Sequence, residues 1–422
     1  MVKFFKKFRW LYPGIRVKRW IFLTALGIGI LVLGAVRFFN DKDFILRGLD
    51  LGGIVLGAGL IIAGIRSMVH SLLSLFSSFY SEELVDLVYK KRYLERGPKI
   101  VAIGGGHGLS TLLSGLKEYT TNLIAIVTVA DSGGSSGRLR KAFDVLPPGD
   151  IRNCLVSLAD APSLMGELFQ FRFKEDSELK GHNFGNLFIT AMSQLTGDFK
   201  RAIEESSRVL AIRGKVLPST LNRVSLVAEY KDGSLTEGEA EIPKKRRKIQ
   251  RVYLKSNEPD SSGKITPTLE AIEAIKEAQI IVIGPGSLYT SILPNLVIKE
   301  IAQAIVESSA LKIYICNVMT QPGETGNFSA SEHVKVLIEH THPRIFDYCL
   351  LNTKLPPQDL LKRYAEEEAY PVEADANQIR KMGYKVVEEN LLHTTDFIRH
   401  DSKRLAKIII ELFRKESLGR IL

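Results

Sequence analysis

The 422-residue sequence predicts an α/β fold, a mostly parallel β-sheet flanked by helices, and three observations carry that prediction. Ile100 to Ile103 is a short apolar run that reads as a buried strand. It ends in Gly104, Gly105, Gly106 and Gly108, after which Leu109, Leu112, Leu113 and Leu116 recur at helical spacing. The same theme returns at Gln279 to Ile283, an apolar run leading into Gly284, Pro285, Gly286 and Ser287. Between and after these corners, further apolar strands (Leu123 to Ala130, Lys312 to Asn317) alternate with helical stretches, the pattern of βαβ units.

A strand, a glycine turn and a helix form a phosphate-binding corner. Glycine lets backbone N–H groups approach an anion, and the helix N-terminus adds a favourable partial charge. Gly104, Gly105, Gly106, His107 and Gly108 are therefore candidate ligand residues. Two glycine-rich strand ends in one parallel sheet face the same edge, which adds Gly284, Gly286 and Ser287.

The N-terminal part has a different character. The chain carries a net charge of +10, but residues 1–97 hold fifteen Lys/Arg against seven Asp/Glu, a net of +8 that leaves +2 for the rest. A near-neutral remainder gives no electrostatic footprint for nucleic acid, and no nucleic-acid partner is expected. Residues 1–19 contain seven Lys/Arg and no acid. Trp20 to Val36 follows without a charge, and seventeen helical residues span about 26 Å, enough to cross a bilayer core. A second uncharged run, Leu51 to Ile65, comes after a connector of mixed charge. Basic residues before the first span, and Arg66, Lys90, Lys91 and Arg92 after the second, put both ends in the cytoplasm. A cleaved signal peptide shares the basic start, but Trp20 to Val36 lacks a small-residue cleavage site and a second span follows. The expected organisation is a membrane anchor over 1–80 and an amphipathic linker helix over 81–97. An α/β domain over 98–422 follows, located at the inner membrane as a multi-pass protein with its soluble domain in the cytoplasm. Ser81 opens the linker with a capping-box signal. Cys154, Cys316 and Cys349 are widely spaced and show no metal-ligand pattern, which suits a reducing compartment.

The soluble part carries further polar clusters. Leu123 to Ala130 ends at Asp131, 23 residues after Gly108, where a dinucleotide fold places the acid that holds a ribose hydroxyl. Ser132, Gly133, Gly134, Ser135, Ser136, Arg138 and Arg140 follow, and N–H groups, hydroxyls and guanidinium groups suit a diphosphate. In Pro147 to Asn153, Asp150 can cap the helix that starts there or help a bound metal–phosphate group, and Arg152 and Asn153 are candidate contacts. His182, Asn183 and Asn186 cluster between two glycines before an apolar helix. Residues 216–265 read as a β-hairpin excursion, with Lys244 to Lys248 as a solvated basic edge. Asn317, Thr320, Gln321 and Glu324 follow a further strand and can line the same cleft. Arg344 to Leu351 and Lys385 to Glu388 read as strands, and Ser402 to Arg414 as a closing helix.

Six of these segments, taken together and in order, resemble the YvcK-type gluconeogenesis factors, in the superfamily of CofD, the 2-phospho-L-lactate transferase of deazaflavin coenzyme synthesis. They are Gly104 to Leu109, Asp131 to Arg140, Pro147 to Asn153, Gly181 to Leu187, Gly284 to Ser291 and Asn317 to Thr325. The resemblance covers about residues 98–410, and the membrane hairpin is an addition to it. It implies a Rossmann-like domain that binds a nucleotide. On the YvcK side the implied ligand is a UDP-sugar and the role lies in central carbon metabolism and cell-wall shape. On the CofD side the implied reaction moves a phospholactyl group from a nucleotide diphosphate to a flavin-like acceptor, with the acid at Asp131 on the acceptor and Mg²⁺ as the cofactor. Ser132-Gly-Gly-Ser-Ser after Asp131 follows the YvcK pattern.

Two functions of different class are thus expected, a nucleotide-sugar-binding regulator and, as the alternative, a transferase; a homo-oligomer is expected for either. An NAD-dependent oxidoreductase fits less well, because Leu109 stands where the dinucleotide fingerprint has its last glycine.

Overall fold

The computed structural model describes residues 18–40, 43–73, 92–160, 163–174, 177–258, 263–394 and 397–419. The chain forms two compact units, Met1–Arg92 and Tyr93–Leu422. The basic segment before residue 18 lies outside the described residues. So does most of the linker expected over 81–97, of which a helical turn at 92–95 is described.

The first unit contains two helices, Lys18–Asn40 and Phe44–Leu73. Both are long and apolar enough to cross a membrane, with mean hydropathies of 2.2 and 2.0. They meet through glycines. A Cβ on Gly57 would stand 2.7 Å from the Leu31 amide nitrogen, and one on Gly27 would stand 2.8 Å from the Gly57 carbonyl oxygen. Small residues that let two backbones touch are how apolar helices pack where no hydrophobic drive separates them from their solvent. Phe22, Leu33, Val55 and Ile62 point outward.

The second unit is built on one seven-stranded sheet. Strands β1 (Ile100–Gly104), β2 (Leu123–Val127) and β3 (Lys215–Pro218) form one half. After them comes an excursion of three strands, β4 (Val224–Tyr230), β5 (Leu235–Glu237) and β6 (Ile249–Ser256). Strands β7 (Ile280–Ile283), β8 (Leu311–Ile315), β9 (Tyr348–Asn352) and β10 (Lys385–Glu389) complete the sheet. The order is β10-β9-β8-β7-β1-β2-β3, and every pairing in it is parallel. The chain therefore winds one way from β1 to β3 and the other way from β7 to β10, and the order reverses between β1 and β7. A crevice opens at such a reversal, at the carboxyl ends of the strands.

The central strands are apolar on both faces because helices cover both. Every residue of β1, β7 and β8 is buried. The helix Gly106–Leu116 lays Leu109, Leu112, Leu113 and Leu116 on the sheet, all fully buried, at about 2 kcal/mol each. Its Gly115 lets the closing helix Ser402–Gly419 approach, since a Cβ there would stand 2.0 Å from the Ser402 carbonyl oxygen.

Two expectations shift. Lys215–Pro218 belongs to the main sheet as its edge strand, a place that tolerates Pro218 because an edge N–H is dispensable. The excursion has three strands where a hairpin was expected, in the order β5-β4-β6. The basic run 244–248 is exposed, as expected, and carries surface ion pairs. Arg246 pairs with Glu368 at 2.8 Å, Arg247 with Asp232 at 2.9 Å, and Lys244 with Glu241 at 2.6 Å. A small antiparallel pair, β11 (Leu392–Thr394) and β12 (Ile398–His400), precedes the closing helix.

Candidate functional site

A cavity of about 670 Å³ opens at the point where the strand order reverses. The loops after β1 and β7 form one wall and touch each other. A Cβ on Gly108 would stand 2.4 Å from the Pro285 carbonyl oxygen, so only glycine allows this approach. Gly105, Gly106, His107 and Gly108 line the cavity from one side, and Gly286 and Ser287 from the other. Gly106 has φ +63°, which turns the chain into its helix.

Three helices begin at this cavity. They are Gly106–Leu116, Gly134–Phe143 and Gly149–Leu158, and none is capped by the side chain of its N-cap residue, which is Gly105, Gly133 or Pro148. Gly133, Gly134, Ser135 and Ser136 line the cavity from the second helix, and Gly149, Asp150, Arg152 and Asn153 from the third. Each start carries the partial positive charge of a helix N-terminus into the same space, and at the first of them the Gly106 N–H already donates to Asp150.

Side chains polarise the cavity. Arg152, buried to 8% exposure, donates Nη1 to Asn186 Oδ1 at 3.0 Å and Nη2 to Asn153 Oδ1 at 2.6 Å. Its Nε is buried and has no partner. Burial, then Arg172, pushes the guanidinium down to about 10. His107 is held below its ordinary value by desolvation and by the charges of Arg399 and Arg152. Acids stand among the same helix starts. Asp131 accepts from the Gly133 N–H at 2.8 Å, and Asp150 accepts from the Gly106 N–H. Desolvation, then the Asp131 charge, pushes Asp150 up to about 7. Glu239, from the excursion, lines the same cavity, and burial followed by Asp131 and Asp150 pushes it up to about 8.

The structure brings most of the expected residues to the cavity. Asn317, Thr320 and Gln321 line it from the loop after β8, and Gln321 donates to the Ser287 hydroxyl and so joins two loops. Asn186 lines it while it holds Arg152.

Other expected residues stand behind the wall. Gly104 keeps its carbonyl for the Asn295 side chain at 3.0 Å and the Thr128 N–H at 3.1 Å. The Ser132 hydroxyl accepts from the Ala240 N–H at 3.1 Å. Arg138 donates to the Lys180 carbonyl at 3.0 Å, and Arg140 to the Val224 carbonyl at 2.6 Å. His182 Nδ1 lies 3.2 Å from the Ser135 hydroxyl, and Asn183 caps the helix Phe184–Thr196. These residues hold the helix Gly134–Phe143 in place from outside the cavity. Gly284, at φ +81°, turns the chain out of β7. Asp150 lies in the first turn of its helix and is not the cap. Glu324 accepts from Thr290 at 3.2 Å and from the Tyr289 and Thr290 N–H groups, and fixes the turn after Ser287 from behind.

Several lining residues carry no signal in the sequence. Arg399 and His400 arrive on β12, Tyr364 and Glu367 at the end of the helix Gln358–Glu366, and Glu239 between β5 and β6. Burial holds the His400 imidazole down at about 4, with Nε2 on the Cys316 carbonyl at 3.2 Å.

Comparison with known proteins follows the same lines. The family profile of CofD, 2-phospho-L-lactate transferase, matches residues 100–392. The gluconeogenesis factor of Bacillus subtilis is 46% identical over 75% of this chain and 99% of its own. A relative from Nostoc sp. is 46% identical over 96% of this chain and 92% of its own, a span that takes in most of the N-terminal unit. A crystal structure of a UPF0052-family protein from Bacillus halodurans superposes with a TM-score of 0.71, at 43% identity, over 74% of this chain and 99% of that one. The chain belongs to the CofD family, among its gluconeogenesis factors.

Proposed function

We propose that this gluconeogenesis factor is a membrane-tethered, cytoplasmic regulator that binds a nucleotide-sugar of the UDP-sugar class, and that this binding links carbon metabolism to cell shape. The observation that carries the reading is the meeting of three uncapped helix starts at one cavity, with an orphaned Arg152 Nε beside them. A diphosphate satisfies both, since it accepts from several backbone N–H groups and from a guanidinium at once. The volume of about 670 Å³ lies in the range of small-molecule sites and suits a ligand larger than inorganic phosphate. The carboxyls that line the same cavity accept from hydroxyls, which a sugar supplies. The two apolar helices of the first unit support the tether.

Titration calorimetry of the full chain in detergent with UDP-N-acetylglucosamine tests the reading. A saturable one-to-one isotherm is expected, and no heat at millimolar ligand overturns it.

A transferase is the second reading, favoured by the carboxyls of Asp131, Asp150 and Glu239 around the same cavity. Among the described residues no three His, Cys, Asp or Glu side chains gather closely enough to hold a metal ion. Asp131 and Asp150 each accept one backbone N–H, from Gly133 and Gly106, and their remaining carboxylate lone pairs would hold Mg²⁺ together with the donor's phosphate oxygens. In this reading Asp131 orients the acceptor, and nucleotide release that needs an acceptor and stops in Asp131→Asn is the expected result. Release that is unchanged in that variant contradicts it.

A further inference from the structure

The excursion reaches the cavity at one point, the turn between β5 and the basic run. The Gly238 N–H donates to the Leu226 carbonyl at 2.8 Å, so the turn is tied to its own sheet. The Ala240 N–H donates to the Ser132 hydroxyl at 3.1 Å, and the Ser132 N–H donates to Glu239. On the far side Pro243 presses on Gly323, where a Cβ would stand 1.9 Å from the Pro243 carbonyl oxygen. The turn is therefore wedged between the loop after β2 and the loop after β8. Glu239 is the residue of this turn that lines the cavity.

We propose that Glu239 is a ligand-specificity residue of this cavity, contacting a hydroxyl of the sugar that the nucleotide diphosphate carries. The inference rests on the nucleotide-sugar reading above. Arg152, Arg399 and His107 line the cavity, the two arginines supply cations for the phosphates, and Glu239 lines it beside Asp131, with its Oε2 3.9 Å from where a Gly133 Cβ would stand. A carboxyl belongs against a hydroxyl rather than a phosphate, because two anions repel while a hydroxyl both donates and accepts. The groups around Glu239 agree. Asp131, Asp150 and Glu324 all face it, and the Ser132 N–H alone favours its charged form. A carboxyl held neutral near pH 7 can donate to one sugar oxygen and accept from another.

The test compares two ligands on the full chain in detergent, UDP-N-acetylglucosamine and UDP. Glu239→Ala is expected to weaken the nucleotide-sugar about tenfold, the effect of one lost buried hydrogen bond, and to leave UDP within twofold. Glu239→Gln, whose amide also donates and accepts, is expected to keep both ligands within threefold, roughly the scatter of a conservative exchange. Should the alanine variant not fold, Glu239→Asp withdraws the carboxyl by one methylene and is expected to give the same selective loss. Equal loss for both ligands means that Glu239 only braces the Ser132 loop, and overturns the inference; so does no loss for either. Failure of the wild type to bind either ligand overturns the nucleotide reading itself, and this inference with it.

Discussion

Replacing Gly108 with alanine sets a methyl group 2.4 Å from the Pro285 carbonyl oxygen and 3.0 Å from the Gly286 nitrogen. Both are backbone atoms on the facing wall, so no side chain can swing away, and the two loops must part. Overpacking of this kind costs about 1–3 kcal/mol. Alanine inside a helix recovers about 1 kcal/mol of propensity relative to glycine, which leaves a net loss of ~1–2 kcal/mol at the upper end of that cost. For a unit of this size, with an unfolding entropy of about 2 cal/mol/K per residue, the loss lowers Tm by roughly 2–3 °C. Gly166→Ala is the control, since a Cβ there meets nothing within 4 Å, and it is expected to hold or raise Tm. Differential scanning calorimetry reads both variants, and ligand titration reads the cleft, where Gly108→Ala is expected to weaken nucleotide binding at least tenfold by spreading the phosphate loops. A Gly108→Ala protein as stable as Gly166→Ala, with unchanged affinity, refutes the claim that the loops after β1 and β7 make one rigid wall.

Arg152→Lys keeps a positive charge but loses the planar donors that Asn186, Asn153 and a diphosphate share; calorimetry is expected to show affinity reduced about tenfold or more. Asp150, pushed up to about 7, is neutral on the acid side of that value and charges as pH rises through it. The stability that its raised value contributes is present at low pH and lost across the same rise, and an anionic ligand meets new repulsion there. Kd is thus expected to increase between pH 6 and 8.5, and the slope to flatten in Asp150→Asn. His400 has the opposite sign: held down at about 4, it contributes stability above its ordinary value that is lost as pH falls. Urea unfolding of the wild type and of His400→Asn is expected to show that the stability His400 contributes is about 2 kcal/mol smaller at pH 5 than at pH 7. A reporter fused after Leu422 is expected to sediment with membranes and face the cytoplasm, and to become soluble when residues 1–80 are removed.

The elements that the sequence discloses are those whose physics is local. Ile100 to Ile103 and Ile280 to Ile283 are continuous apolar runs because both faces of a central parallel strand are covered, and glycines mark their ends. The four leucines after Gly108 repeat at helical spacing for the same reason that they pack on the sheet. Asp131 and Asp150 were legible as polar residues at strand and helix boundaries, and both line the cavity. What the sequence hides depends on tertiary approach. Lys215–Pro218 is four residues long and carries a lysine and a proline, yet it pairs with β2. Arg399 and His400 sit on a three-residue strand with no periodicity to read. Glu239 lies among polar turn residues and reaches the cavity only because the excursion folds back over Ser132. Arg138 and His182 have the residue types of a phosphate site but are spent within the protein, on the Lys180 carbonyl and the Ser135 hydroxyl.

The central claim is that three helix starts and Arg152 hold a diphosphate at the reversal of the sheet. A crystal structure of the full chain with UDP-N-acetylglucosamine tests it most directly. The account predicts phosphate oxygens within hydrogen-bond distance of backbone N–H groups at the starts of the helices Gly106–Leu116 and Gly134–Phe143, and of Arg152, with the sugar toward Glu239. A nucleotide bound elsewhere on the protein, or one in the cavity whose phosphates touch neither these helix starts nor Arg152, contradicts it.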